Sequence, residues 1–91
     1  MKKLALVVDD TPYIREDIRD ILEEMGYEVY EANDGLEALK MYKKIKPAVV
    51  TMDINMPNMH GLAATKEISN YDRNAKILIC STMVMFPNYQ K

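Results

Sequence analysis

Asp9 and Asp10 close the apolar run Leu4-Ala5-Leu6-Val7-Val8, and Asp53 stands near the end of a second run, Ala48 to Ile54. If both runs are neighbouring strands of one sheet, about 4.8 Å apart, the three carboxylates converge on one pocket at the strands' carboxyl ends. Such a cluster is unfavourable until protons or a cation neutralise it. Mg²⁺ suits the task, since it takes one or two carboxylates and completes its shell with waters and phosphate oxygens. A carboxylate held beside a metal can also act as a covalent nucleophile, as in aspartyl-phosphate chemistry. Each acid alone has a plainer reading: Asp10 complements the positive end of a helix, and Asp9 is solvated. Three acids at two adjacent strand ends favour the site.

The elements that must position these acids are legible as an alternation. Leu4–Val8 is continuously apolar, as expected of a strand buried on both faces of a parallel sheet. Thr11 offers an N-cap hydroxyl and Pro12 suits a first helical position. Ile14, Ile18, Ile21, Leu22 and Met25 then recur at helical spacing, and Gly26 ends the helix. Tyr27 to Ala32 reads as a second strand. Asp34 caps a second helix with Leu36, Leu39, Tyr42 and Ile45 inward, stopped by Pro47. Ala48 to Ile54 is a third strand, Leu62 to Ser69 a short helix, and Lys76 to Ser81 a fourth strand. The order βαβαβαβ predicts an α/β fold with a parallel sheet and right-handed crossovers.

Composition narrows the function classes. The chain has 91 residues, 48% hydrophobic, with 12 Lys+Arg against 14 Asp+Glu, which suits a single domain, residues 1–91. A net charge of −2 argues against nucleic acid as a direct partner. No apolar run approaches a membrane span, and Asp9-Asp10 interrupt the stretch after Lys2-Lys3 before a leader could form. The single Cys80 excludes an internal disulfide, which suits a reducing cytoplasm. Lys40, Lys43, Lys44 and Lys46 read as a solvated helix face, and Cys80 as a small buried hydrophobe. His60, a lone loop histidine, is assigned no chemistry.

Val7-Val8-Asp9-Asp10, the stretch Asp53-Ile54-Asn55-Met56-Pro57-Asn58-Met59-His60-Gly61, and Cys80-Ser81-Thr82 together resemble the receiver domain of two-component response regulators, of the chemotaxis-regulator type. The D-x-x-M-P-x-M-x-G stretch is the specific part, although His60 stands where an acidic residue is usual. The resemblance covers essentially the whole chain. It implies a flavodoxin-like sheet and a cytoplasmic phosphoprotein of two-component signal transduction. It also implies that Asp53 accepts a phosphoryl group from a sensor histidine kinase. Mg²⁺ would be held by Asp10 and Asp53, by the backbone carbonyl of Asn55, and by Asp9 through water. Ser81 matches the switch hydroxyl, while Pro57 and Gly61 shape the acceptor loop. On this reading the chain is no enzyme beyond catalysing its own phosphorylation and dephosphorylation.

Receiver sheets have the strand order 2-1-3-4-5, and this sequence supplies four strands, 2-1-3-4, with helices on both faces. The fifth strand, its lysine and the last helix are expected to be missing, as if the domain were truncated at the C-terminus. The open fourth-strand edge then predicts a homodimer or higher oligomer burying Met83, Met85 and Phe86. The main alternative is a receiver-like interaction or assembly module that does not switch, or a folded fragment. A Mg²⁺-dependent phosphatase is disfavoured because Asn55 stands where a second acid would be needed. Flavin binding is disfavoured by the acidic loop after the first strand.

Overall fold

The structure, a computed structural model, describes residues 2–56 and 58–80. The elements run β1 (Leu4–Val8), α1 (Pro12–Glu24), β2 (Glu28–Ala32), α2 (Gly35–Ile45), β3 (Val49–Met52), α3 (Gly61–Tyr71) and β4 (Ile77–Ile79). All strand pairs are parallel, in the order β2-β1-β3-β4. This is the flavodoxin-like arrangement expected from the alternation of apolar runs and amphipathic helices.

The register decides where function can sit. Ala32 pairs with Val8, Val8 with Met52, and Met52 with Ile79, so the carboxyl ends of all four strands are level. Val8, Met52 and Ile79 are followed by Asp9, Asp53 and Cys80. The ladder runs one step further into that row: Asp9 N–H donates to Ala32 at 3.1 Å, Asp53 N–H to Val8 at 2.9 Å and Cys80 N–H to Met52 at 2.8 Å. The backbones carrying two of the acids are therefore held by the sheet itself.

Helices cover both faces. On one, Leu22 and Ile18 of α1 pack on Ala5, Val7 and Val29. On the other, Ala38 and Tyr42 of α2 and Ala64 and Ile68 of α3 pack on Leu6, Val8, Val50 and Met52. Burying each such large apolar side chain contributes about 1.5–3 kcal/mol. Met52 and Met56 both belong to this second core.

Several local expectations are corrected. Ile21 of α1 and its C-cap Met25 are exposed, at 58% and 66%, because the buried stripe runs through Leu22 with Ile14 and Ile18 at its margin. In α2 the inward face is Gly35, Ala38 and Tyr42, and Leu36 points to solvent. Small residues are buried there because α2 lies close against the loop that follows β3: a Cβ on Gly35 would meet the backbone of Met59. Thr11 is the N-cap of α1 by position but its hydroxyl makes no capping bond. α3 runs past the expected Ser69 to Tyr71. Gly26 does take the left-handed conformation (φ +100°) that ends α1, and Lys46 adopts a left-handed C-cap (φ 45°) immediately before Pro47.

Candidate functional site

Asp9, Asp10 and Asp53 each offer a carboxylate oxygen, and those oxygens lie within 4.8 Å of one another. Asp9 is 4% exposed and Asp53 8%, while Asp10 is open to solvent. The pocket therefore has a buried floor and one outer wall. Oδ1 of Asp9 accepts the Thr11 N–H at 2.9 Å, and Oδ1 of Asp53 accepts the Asn55 N–H at 3.1 Å. Each buried carboxylate is thus steadied by the amide two residues downstream.

The electrostatics report the crowding. Burial pushes the Asp9 carboxyl above its usual range, and the charges of Asp53 and Asp10 push it further, against the hydrogen bond from Thr11. Cys80 senses the same field: burial raises its thiol first, and Asp9 and Asp53 add to that. The last described residue of the sheet edge therefore lies beside the acids, half-buried and held as a neutral thiol. Three hard oxygen donors in so small a space, one of them resisting ionisation, fit a small divalent cation such as Mg²⁺.

The loop after Asp53 is built on close approach. Gly61 N–H donates to the Ile54 carbonyl at 3.2 Å, and a Cβ on Gly61 would collide with the Asp53 carbonyl. Asn58 takes φ 65°, a left-handed conformation tolerated by asparagine, and its amide reaches Asp34 at 2.8 Å. His60 begins α3, its Nδ1 accepting the Leu62 N–H at 3.3 Å, a local capping role that needs no acid there.

The acids expected from the sequence thus come together, and Asn55 follows Asp53 on the same loop. Ser81 lies outside the described residues, as do Pro57, Met83, Met85 and Phe86. Two features were missed. Arg15 reaches back to donate to the Asp9 carbonyl at 2.7 Å, and Asp34 holds the loop after Asp53 through Asn58. The signal for Asp34 was present in its N-cap position; nothing local in the sequence marks Arg15.

The family model described as the response regulator receiver domain matches residues 5–90. The chain is 51% identical over 84 residues to the chemotaxis protein CheY of Thermotoga maritima, an alignment covering 91% of this chain and 70% of that protein. It superposes on the response regulator protein TrrA of Thermotoga maritima, solved in complex with Mg²⁺ and BeF. There the TM-score is 0.84 at 42% identity, covering 89% of this chain and 70% of that one. The CheX–CheY–BeF3–Mg²⁺ complex from Borrelia burgdorferi gives a TM-score of 0.85 at 31% identity, covering 89% of this chain and 63% of that one. The chain thus spans roughly two thirds of the length of these relatives. Among the described residues no helix is long and apolar enough to cross a membrane.

Proposed function

The chain belongs to the response regulator receiver domain family, and from that premise we propose that it is a Mg²⁺-dependent phosphoacceptor in two-component signalling, with Asp53 as the acceptor. The observation that carries this reading is the convergence of the Asp9, Asp10 and Asp53 carboxylates within 4.8 Å at the level ends of β1 and β3. The donor would be a phosphohistidine on a sensor kinase. An oxygen of Asp53 forms the new P–O bond as the donor's P–N bond breaks, and the released imidazole keeps the electron pair and takes a proton from water. The transferred group is anionic, so the reaction depends on in-line positioning and charge neutralisation.

Each residue has a part in that. Asp53 is fixed through its backbone to Val8 and through Oδ1 to the Asn55 N–H, leaving its other oxygen for attack. Asp10, exposed, and Asp53 would hold Mg²⁺ through their side chains, with the Asn55 carbonyl as a third ligand and Asp9 acting through water. When bound, Mg²⁺ would supply positive charge against the incoming phosphoryl oxygens. Ser81 is the proposed switch hydroxyl. The chain turns over no separate substrate, and its chemistry is its own phosphorylation and dephosphorylation. Self-association belongs to the same reading: β4 is an edge strand among the described residues, with Leu78 and Ile79, on its opposite faces, 60% and 46% exposed, and a second copy pairing along that edge would extend the sheet and flank both. Sedimentation at micromolar concentration checks this, and a monomer removes it.

Titration with Mg²⁺, followed on backbone amide signals, tests the metal part. Saturable shifts at Asp10, Asp53 and Asn55, abolished in Asp10→Asn, are expected. No response at millimolar Mg²⁺ would instead favour an interaction module that keeps the receiver shell without signalling.

A further inference from the structure

We propose that Arg15 is a positioning residue for the acid site, setting the direction in which Asp10 leaves β1. The guanidinium Nη1 donates to the Asp9 carbonyl oxygen at 2.7 Å, while Nε donates to Glu31 Oε1 at 2.9 Å. Glu31 is on β2, and its other oxygen accepts from Arg19 Nη1 at 2.7 Å, so the fork of Arg15 is itself anchored to the neighbouring strand and to its own helix. The Arg15 side chain is 17% exposed, which limits its freedom to swing away.

The consequence follows from peptide planarity. The Asp9 carbonyl belongs to the rigid Asp9–Asp10 peptide plane, so holding that oxygen fixes the orientation of the plane. The sheet pins Asp9 on its N–H side, through Ala32, and Arg15 pins it on its carbonyl side. Asp10 is the first residue beyond that pinned plane, and it is the exposed acid of the cluster. Without the clamp the plane can rotate, and the Asp10 carboxylate no longer converges on Asp9 and Asp53. A planar guanidinium satisfies two acceptors at fixed angles; an ammonium is a point charge that does not.

This role rests on the Mg²⁺ reading of the site, and it makes a prediction opposite in sign to plain electrostatics. The guanidinium sits on the Asp9 backbone carbonyl, so removing its positive charge should leave Mg²⁺ binding unchanged or tighter if charge alone mattered. Loss of a clamp should weaken it, by about 10-fold for an outer-shell partner.

The experiment is Mg²⁺ titration of wild type, Arg15→Met and Arg15→Lys, with thermal melts of the metal-free proteins and their backbone amide spectra. About 10-fold weaker Mg²⁺ binding in both variants is expected, with displaced Asp10 and Thr11 amide signals in the metal-free state. Arg15→Lys keeps the charge and carries the test alone if Arg15→Met does not fold. Unchanged or tighter binding in a folded Arg15→Lys overturns the proposal. If wild type itself binds no Mg²⁺, the reading of the site has failed separately. The metal-free spectra then decide: displaced Asp10 and Thr11 amides in Arg15→Lys support the clamp, and unmoved ones overturn it.

Discussion

The side-chain amide of Asn58 donates to Oδ2 of Asp34 at 2.8 Å, while Oδ1 of the same carboxylate accepts the Glu37 N–H at 2.8 Å. One side chain thus caps α2 and tethers the loop that follows Asp53. Both bonds favour the ionised form and hold the Asp34 carboxyl below its usual range, the capping bond first. Asp34→Ala removes both and should cost about 1–2 kcal/mol, whereas Asp34→Ser keeps a cap and should lose less. Because the folded-state pKa is lowered, this stabilisation is present above the usual 3.8 and is lost as pH falls through the folded value. Urea denaturation of the two variants at neutral and acid pH should show the Asp34→Ala deficit shrinking in acid. A deficit independent of pH would contradict it.

Asp9 behaves in the opposite sense. Its pKa is raised by burial, then by Asp53 and Asp10, so the ionised form opposes folding. Stability of the metal-free protein should therefore fall as pH rises from the usual 3.8 through the raised folded value. Asp9→Asn keeps an oxygen for the Thr11 N–H and removes the charge. At neutral pH without metal it should melt higher, by about 4–8 °C for about 1 kcal/mol. Mg²⁺ should raise the melting temperature of wild type more than that of the variant. A lower melting temperature for Asp9→Asn would show that the charge is already compensated.

Gly61→Ala would drive a methyl group into the Asp53 carbonyl, and Gly35→Ala one into Met59. Neither site relieves the clash by moving a flexible side chain, because the obstructing atoms include backbone. Each should destabilise by about 1–3 kcal/mol. Gly61→Ala should also shift the Asp53 amide signal, and Gly35→Ala the signal of Met59. Wild-type spectra in either variant would mean that the loop has room.

Tyr42 joins the two helices on the second face. Tyr42 is 2% exposed, and its hydroxyl donates to Asp72 at the end of α3 at 2.7 Å. Burial first, then Asp72, push the phenol up to about 12. Tyr42→Phe should cost about 1 kcal/mol and Tyr42→Ala about 3–5 kcal/mol, since only the second leaves a cavity. Equal losses in chemical denaturation would assign the whole effect to the hydroxyl.

The strands and the acid row were readable because β1 and β3 are buried on both faces, β1 apolar throughout and β3 interrupted only by the buried Thr51, with acids at their ends. Helix faces were read less well. Ile21, Met25 and Leu36 fit a helical period but are exposed, because periodicity marks a stripe and not the width of the surface that covers it. Gly35 and Ala38, which are buried in α2, carry little hydrophobic signal because they are small, and at Gly35 the loop after β3 lies too close for any side chain. The clamp by Arg15 could not be seen, since it joins positions brought together only when β1, β2 and α1 pack.

On the proposed reading Asp53 accepts a phosphoryl group with help from Mg²⁺. Incubation with Mg²⁺ and a small phosphodonor such as acetyl phosphate, followed by mass-spectrometric mapping, tests it most directly. One phosphoryl group on Asp53 is predicted, absent when Mg²⁺ is chelated and absent in Asp53→Asn. Labelling that persists in Asp53→Asn, or maps to another residue, would contradict the assignment.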